Sequence, residues 1–260
     1  MKSVILAGGF GTRISEESHF RPKPMVELGG MPILWHIMKL YSYYGYNEFI
    51  ICAGYKQEVI KKFFADYFLY TSDITYDYTS GYSNLTIHKT VSEPWRVTVV
   101  DTGLNTMTGG RIKRVQPYIG KEPFMITYGD AVCDVNITEL LKYHRSHGKT
   151  ATLTAVIQKQ QKGILDISEF GAVRSFREKK INDGAVINAG FMVMEPEIFD
   201  YLGGDDCILE QSTMDQLASN GELMSYRHKG FWQCMDTLLE KEILEKMWAT
   251  GKAPWKVWTT

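Results

Sequence analysis

The stretch from Val4 to Arg13, which reads V-I-L-A-G-G-F-G-T-R, decides the fold class. Residues 4–7 form a continuous apolar run, typical of a strand buried on both faces of a parallel sheet. Three glycines follow, at the carboxyl edge where open α/β sheets bind ligands. Their backbone N–H groups can approach phosphate oxygens closely, and Arg13 adds a forked cation. A tight turn that only needs glycine is the alternative interpretation.

The glycine spacing excludes two common phosphate-binding motifs. It fits neither G-x-G-x-x-G nor G-x-x-x-x-G-K-[ST], so hydride transfer and P-loop hydrolysis are disfavoured.

Strand-like and helix-like patterns alternate through the first 155 residues. Apolar residues at helical spacing predict a helix that begins at Pro32 and is capped by Gly45 in a left-handed conformation. Residues 49–53 predict the next strand, which closes a βαβ unit. Further strands are predicted at 97–100, 124–128 and 150–157, helices at 59–70 and from Asn136 to Gly148, and a hairpin or loops at 71–90. The pattern predicts an α/β protein with a doubly wound, mostly parallel sheet.

The second part of the chain predicts a small C-terminal extension of sheet and helix. Short strands are expected at 172–176 and 186–194, and a capping box of Thr237 and Glu240 begins a last helix that ends at Gly251. An aromatic tail at 254–258 is expected to pack. No Pro/Ser-rich linker appears, so residues 1–260 are predicted to form a single domain.

Composition excludes several classes of protein. The 260 residues are 44% hydrophobic and 23% charged, which disfavours disorder. The net charge of -1 provides no overall electrostatic field that would attract nucleic acid or an anionic membrane. No apolar run approaches the ~18 residues of a membrane span. The four cysteines lack paired C-x-x-C spacing, which argues against disulfides and structural zinc. A cytoplasmic protein is therefore expected. Separately, His144 and His147 are expected to lie on a solvated helix face.

The chain resembles the sugar-1-phosphate nucleotidylyltransferases, also called nucleoside-diphosphate-sugar pyrophosphorylases. L-A-G-G-x-G-T-R at 6–13 and R-P-K-P-M at 21–25 carry the resemblance. Further shared phrases stand at 32–39, 100–103, 108–111, 127–130, 230–237 and 251–256.

The resemblance implies a Rossmann-like nucleotidyltransferase fold and a specific reaction. The reaction would be Mg²⁺-dependent transfer of CMP from CTP to α-D-glucose 1-phosphate, giving CDP-glucose for deoxysugar synthesis, and pyrophosphate. Residues 1–155 would be the nucleotide-binding half and residues 156–260 the acceptor-binding and oligomerisation extension. A homo-oligomer, often a hexamer, is also implied.

The resemblance assigns roles to individual residues. Arg13 and Lys23 would assist the transfer, and Asp130 and Asp236 would hold Mg²⁺. The acceptor would be bound by Glu178, Lys179, Asn188 and Gly190. The nucleotide would be bound by Leu6, Ala7, Gly8, Gly9, Phe10, Gly11, Thr12, Arg13, Lys23, Thr106, Arg111, Gly129 and Asp130.

Simpler interpretations exist for three of these residues. Asp130 comes directly after a buried strand and could form a turn, Asp236 could cap the last helix, and Arg111 could be exposed in a turn. The acceptor side departs from the family pattern at 161–165, where Q-K-G-I-L replaces Arg-Phe-Gly, and at Lys180, Ala189 and Cys234.

Three alternatives stay open. The first, which these departures motivate, is the same transfer to another sugar phosphate or to a non-sugar phosphate. The second is use of UTP or dTTP, because the glycine-loop residues alone do not encode a pyrimidine. The third is a non-catalytic nucleotide-sugar-binding protein.

Overall fold

A computed structural model describes residues 1–11, 15–79, 81, 84–158, 164–167, 172–177 and 185–259. Its strands are β1 (Ser3–Ala7), β2 (Glu27–Leu28), β3 (Met31–Pro32), β4 (Glu48–Ala53), β5 (Ser72–Asp77), β6 (Asn84–Thr90), β7 (Arg96–Asp101), β8 (Phe124–Tyr128), β9 (Ala131–Cys133), β10 (Ala151–Gln158), β11 (Ile164–Ile167), β12 (Val173–Arg177), β13 (Ala185–Met194), β14 (Leu223–Arg227) and β15 (Trp232–Cys234). Its helices are α1 (Ser15–Ser18), α2 (Ile33–Tyr43), α3 (Gln57–Tyr70), α4 (Thr108–Arg114), α5 (Gln116–Ile119), α6 (Ile137–His147), α7 (Ile198–Tyr201), α8 (Met214–Ser219) and α9 (Leu238–Ala249).

The central sheet has seven strands in the order β14-β10-β13-β8-β1-β4-β7. β1 pairs in parallel with β4 and β8, β4 with β7, and β10 with β14. β13 is antiparallel to both of its neighbours, β8 and β10. The predicted doubly wound, mostly parallel sheet is confirmed. The chain leaves β1 toward β4 on one side and returns as β8 on the other, which makes the β1–β8 boundary the point where ligands bind in such sheets.

Both faces of the sheet are covered, as the unbroken apolar run of β1 predicts. Ile5 and Ala7 join a core formed with α2 and α9, whereas Val4 and Leu6 join a second core on the opposite face. Alternate residues of a strand point to opposite faces, so a strand buried on both faces needs apolar residues at every position.

The ends of the helices follow local sequence signals. Asn136 caps α6 by accepting a hydrogen bond from the Glu139 N–H at 3.1 Å, and Gly148 ends the helix in a left-handed conformation. Pro32 lies just before α2 and not at its first position, because its backbone is extended and pairs with Glu27 in the β2–β3 ribbon.

The C-terminal segment packs inside the chain. Trp255 and Trp258 are buried in the core that contains α2, and their rings contact His36. The reciprocal capping box of Thr237 and Glu240 begins α9, as predicted.

The predictions for two other segments had different outcomes. The predicted hairpin is confirmed as the antiparallel pair β5–β6. The prediction of a solvated helix face was wrong for His144, because its side chain is buried and hydrogen-bonds Thr152 and Glu195.

Within the described residues, no helix combines the length and the apolar character that a membrane crossing requires.

Candidate active site

An open cleft of about 540 Å³ lies at the carboxyl ends of the parallel strands. Loops after β1, β7 and β8 and a 3₁₀ turn at Lys23–Met25 build its walls. It is lined by Leu6, Ala7, Gly8, Gly9, Phe10, Gly11, Lys23, Pro24, Leu104, Asn105, Thr106, Met107, Thr108, Arg111, Tyr128, Gly129 and Asp130. The volume is in the range of sites for nucleotide-sized ligands.

The cleft brings together every residue predicted to bind the nucleotide that the structure describes. Thr12 and Arg13 lie outside the described residues. Sequence reasoning missed part of the wall: Pro24, Leu104, Asn105, Met107, Thr108 and Tyr128. The position of residues 104–108 after β7, at the same sheet edge, is the signal that could have found them.

Lys23 joins the two predicted metal ligands at one side of the cleft. Its ammonium group donates to Asp130 Oδ2 at 2.7 Å and also to Asp236 Oδ1. The Lys23 side chain is 9% exposed, while those of Asp130 and Asp236 are 30% and 19% exposed. Two carboxylates distant in the sequence therefore converge on one cation in a partly buried site.

The backbone explains this convergence. The turn after β8 places Asp130 beside the cleft, where the Gly129 N–H donates to Leu6 O at 3.0 Å. β9 then pairs antiparallel with β15, and the Met235 N–H donates to Asp130 O at 2.9 Å. This short ribbon brings Asp236 next to Asp130.

Lys23 stays charged in this environment. Burial lowers the pKa of its ammonium group, but the charges and hydrogen bonds of Asp130 and Asp236 outweigh burial and raise the pKa above its usual value. Nearby anions favour the charged form of a lysine.

Asp236 is not a helix cap. Thr237 caps α9, and the Glu240 side chain accepts from the Asp236 N–H at 2.8 Å. The Cys234 thiol lies 3.5 Å from Asp236 Oδ2, and burial followed by the charges of Asp236 and Glu240 raises its pKa to about 12. The thiol is therefore a neutral donor, and the Asp236 carboxylate is held toward Lys23.

The donor set at this position fits a divalent metal. Asp130 and Asp236 supply hard oxygen ligands, the kind that Mg²⁺ prefers, and one or two carboxylates usually suffice when phosphate oxygens complete the shell. Their carboxylates already meet at a single cation, the Lys23 ammonium.

Arg111 is not the exposed turn residue of the simpler interpretation. It lies in α4, is 5% exposed, and directs its guanidinium toward the ends of the strands, where it donates to Gly103 O at 2.7 Å and Gly8 O at 3.0 Å. Burial lowers the pKa of Arg111.

The predicted acceptor residues are described only in part. Glu178 and Lys179 lie outside the described residues. Gly190 has a φ of +83°, and a Cβ there would lie 2.3 Å from the Tyr128 ring, so this glycine is required where Tyr128 forms the wall of the cleft. Asn188 Oδ1 accepts from the Gly190 N–H at 2.9 Å and fixes the backbone at this irregular point of β13, where its pairing with β10 shifts register.

Tyr128, in the wall of the cleft, is held by a carboxylate. Its hydroxyl donates to Glu210, which also accepts from the Thr108 hydroxyl at 2.6 Å. Burial and the Glu210 charge raise the pKa of Tyr128, so it remains a neutral donor.

The fold and the cleft define an α/β protein that binds its ligand at the switch point of a doubly wound sheet. A family model described as "Nucleotidyl transferase" matches residues 2–234. The chain is 53% identical over 259 residues to the glucose-1-phosphate cytidylyltransferase of Salmonella typhi, with 99% of this chain and 100% of that protein covered. It is 44% identical, at the same coverage, to the probable glucose-1-phosphate cytidylyltransferase of Bacillus subtilis (strain 168). The chain belongs to the nucleotidyl transferase family.

Solved structures agree on the fold. HddC from Yersinia pseudotuberculosis matches with a TM-score of 0.69 at 22% identity, covering 95% of this chain and 99% of that chain. An apo UDP-glucose pyrophosphorylase matches with a TM-score of 0.67 at 16% identity, covering 96% of this chain and 98% of that chain.

Membership of the family indicates the kinds of ligand. Its members act on a nucleoside triphosphate and a sugar phosphate, and they generally use a divalent metal.

Proposed function

We propose that the protein transfers CMP from CTP to α-D-glucose 1-phosphate, giving CDP-glucose and pyrophosphate. One structural observation carries the proposal: Lys23, Asp130 and Asp236 meet at the side of a glycine-lined cleft of nucleotide size. The identity of 53% to a full-length glucose-1-phosphate cytidylyltransferase supports the choice of substrates.

The reaction forms one P–O bond and breaks another. A phosphate oxygen of glucose 1-phosphate attacks the α-phosphorus of CTP, and the bond from that phosphorus to the bridging oxygen of the β-phosphate breaks in line. The electron pair of the broken bond leaves with pyrophosphate. Such a step needs two anions held together and their charge neutralised more than it needs covalent chemistry.

The glycine loop and Lys23 supply the binding of the triphosphate. Gly8, Gly9 and Gly11 line the cleft, and because they have no Cβ their backbone N–H groups can approach the phosphates closely. Lys23 is fixed between two prolines in a 3₁₀ turn and adds a point charge that stays protonated at neutral pH. Arg13 is proposed to add a second cation on the basis of the motif.

Asp130 and Asp236 are the residues that would hold Mg²⁺. A bound divalent cation neutralises charge on the phosphates and on the departing pyrophosphate. Lys23 contacts both carboxylates and balances their charge.

An apolar rim of the cleft suits the pyrimidine base. Phe10, Leu104 and Met107 line the cleft, yet their side chains are 46%, 50% and 47% exposed. Exposed apolar side chains around a concave site mark a ligand-binding surface. Thr106 lies between two of them and is buried.

The acceptor is proposed to lie beyond Tyr128. Asn188 and Gly190 adjoin Tyr128, and the family motif assigns sugar hydroxyls to Glu178 and the sugar phosphate to Lys179. The departures at 161–165, Lys180, Ala189 and Cys234 make the acceptor the part of the proposal that most needs a test.

Pyrophosphate release by the purified protein with Mg²⁺ tests the proposal, with CTP, UTP, dTTP and ATP crossed against a panel of phosphorylated acceptors. Pyrophosphate release is expected only when CTP and glucose 1-phosphate are supplied together. Release with CTP and another acceptor would keep the mechanism and change the substrate, and release with UTP or dTTP would change the base. A folded protein that binds CTP without any release would be a nucleotide-sugar-binding protein.

Three further expectations remain predictions: a homo-oligomer, a hexamer by resemblance; a cytoplasmic location; and no binding of nucleic acid or membrane. Light scattering on the purified protein measures the first.

A further inference from the structure

The guanidinium of Arg111 is surrounded by backbone carbonyls at the ends of the parallel strands. Its Nη1 donates to Gly103 O at 2.7 Å, to Thr102 Oγ1 at 2.8 Å and to Ala53 O at 3.4 Å. These acceptors stand at the end of β4 and just after β7, on one side of the cleft.

The second nitrogen of the fork contacts the loop after β1 in addition to the loop after β7. Arg111 Nη2 donates to Gly8 O at 3.0 Å and to Leu104 O at 3.2 Å. Each Nη carries two hydrogens, so five acceptors of the protein use all four. The loop after β1 and the loop after β7 are therefore tied together by one side chain.

Two glycines are needed for this arrangement. Neither Gly8 nor Gly54 has a positive φ, so the backbone itself does not demand glycine. A Cβ on Gly8 would lie 2.1 Å from Arg111 Nη1, and a Cβ on Gly54 would lie 2.6 Å from it. The Cβ on Gly54 would also lie 2.8 Å from both Gly103 O and Gly8 O.

The charge of Arg111 is stabilised at contact distance by carbonyl dipoles, and the Asp101 carboxylate adds a favourable charge interaction without contacting it. No carboxylate of the described residues lies within ion-pair distance of it. A buried cation needs such compensation, and several converging carbonyl oxygens provide it. A fixed positive charge thus lies at the floor of the cleft.

We propose that Arg111 is a positioning residue that ties the loop after β1 to the loop after β7 before nucleotide arrives, and that it acts on the triphosphate through this backbone and its charge. The identity of the nucleotide rests on the proposed function. The claim that Arg111 orders the two loops before nucleotide binds does not depend on the proposed function.

Hydrogen–deuterium exchange on the ligand-free protein tests the inference. Arg111→Lys keeps the charge but replaces the fork with one nitrogen, so at least two of the five contacts are lost. We expect amides in peptides covering 7–11 and 102–106 to exchange about tenfold faster, the effect of losing one or two hydrogen bonds of ordinary net strength.

Arg114→Lys is the matched control. Arg114 lies one turn further along α4, is exposed, and pairs with Asp205 at 2.8 Å through Nε. Exchange in both peptides should stay at the wild-type rate. Unchanged exchange in Arg111→Lys together with weaker CTP binding would make Arg111 a direct nucleotide ligand and overturn the inference.

Gly54→Ala provides a second test that leaves Arg111 in place and does not alter a residue lining the cleft. Its methyl group would enter the space between Nη1, Gly103 O and Gly8 O, so both peptides should again exchange faster. Wild-type exchange in Gly54→Ala would overturn the inference, and this variant decides alone if Arg111→Lys does not fold. An absence of CMP transfer in the wild-type protein would remove the proposed function and leave the exchange result valid.

Discussion

The Lys23 ammonium and the Asp130 carboxylate lie 2.7 Å apart at the wall of the cleft, although one belongs to a loop after β1 and the other to the turn after β8. Asp236 shares the same ammonium. This lysine balances the charge of two carboxylates that are also the proposed metal ligands.

Replacing Lys23 by methionine should couple stability to Mg²⁺. Without the ammonium, Asp130 and Asp236 repel each other, and a divalent cation that both hold stabilises the folded state by mass action. We expect Mg²⁺ to raise the Tm of Lys23→Met more than that of the wild type, and kcat to fall by about 10²- to 10³-fold. Thermal unfolding in EDTA and in a Mg²⁺ series measures the first effect.

Lys39→Met is the control for this variant. Lys39 forms a comparably buried ion pair with Glu93 at 2.9 Å, away from the cleft. It should lose stability without gaining any dependence on Mg²⁺. The same Mg²⁺ response in both variants would argue against a metal at Asp130 and Asp236.

Asp130→Asn should remove turnover and keep the fold. The amide is the same size and still accepts a hydrogen bond from Lys23, but it loses the charge that holds a metal. We expect kcat to fall by about 10²-fold or more and the free energy of unfolding to change by about 1 kcal/mol or less. Steady-state kinetics and urea unfolding measure the two quantities.

Asp205→Asn serves as its control, since the Asp205 side chain forms an exposed pair with Arg114 and the substitution leaves the Asp205 carbonyl that accepts from Met107 in place. Its kinetics should match the wild type. Near-normal turnover of Asp130→Asn at ordinary Mg²⁺ would exclude Asp130 from the mechanism.

Much of this site follows from local sequence, and the rest depends on long-range pairing. The apolar run of β1, its glycines and the Asp130 turn are local features, and the structure places them as predicted. The meeting of Asp236 with Lys23 depends on β9 and β15, strands of three residues each that carry no local signal.

The inward direction of Arg111 is also a long-range property, because its acceptors come from the ends of three strands. His144 is different, since a signal existed. It follows Ile137 and Leu140 at helical spacing on the buried stripe of α6, and the charged residues on either side of it concealed that stripe.

His36 should make stability depend on pH. Its Nε2 contacts Leu28 O at 2.8 Å. Burial lowers the pKa of His36 to about 4, because burial outweighs the backbone hydrogen bonds, which raise the pKa. The unfolded chain binds a proton below about pH 6.5 and the folded chain does not, so stability falls as the pH drops from 6.5 toward 4. We expect His36 to contribute a loss of about 2 kcal/mol between pH 7.5 and 5.

Urea unfolding across that range, compared with His36→Gln, isolates this contribution. Glutamine keeps a donor for Leu28 O but does not titrate, so its pH dependence should be shallower. His19→Gln, at an exposed histidine, should follow the wild type. Parallel curves for wild type and His36→Gln would contradict the prediction.

A chain of hydrogen bonds at the amino end of β10 fixes two histidine tautomers. The Lys149 backbone N–H can only donate, so His147 Nδ1 accepts at 3.0 Å and a neutral His147 carries its hydrogen on Nε2. That hydrogen goes to Thr152 Oγ1 at 2.8 Å, and the single hydroxyl hydrogen goes to His144 Nδ1, also at 2.8 Å. His144 Nε2–H then donates to Glu195 at 3.1 Å.

Thr152→Val should break this chain, whereas Thr154→Val should not destabilise the protein. Burial lowers the pKa of both histidines, so the neutral tautomers persist at pH 7.5, where ¹⁵N NMR should show both in the Nε2–H form. Removing the Thr152 hydroxyl leaves buried groups without partners, at a cost of about 1–3 kcal/mol in unfolding free energy. Thr154 is equally buried on the same strand, and among the described residues its hydroxyl has no hydrogen-bond partner. Equal costs for the two valine variants would show that the chain contributes nothing to stability.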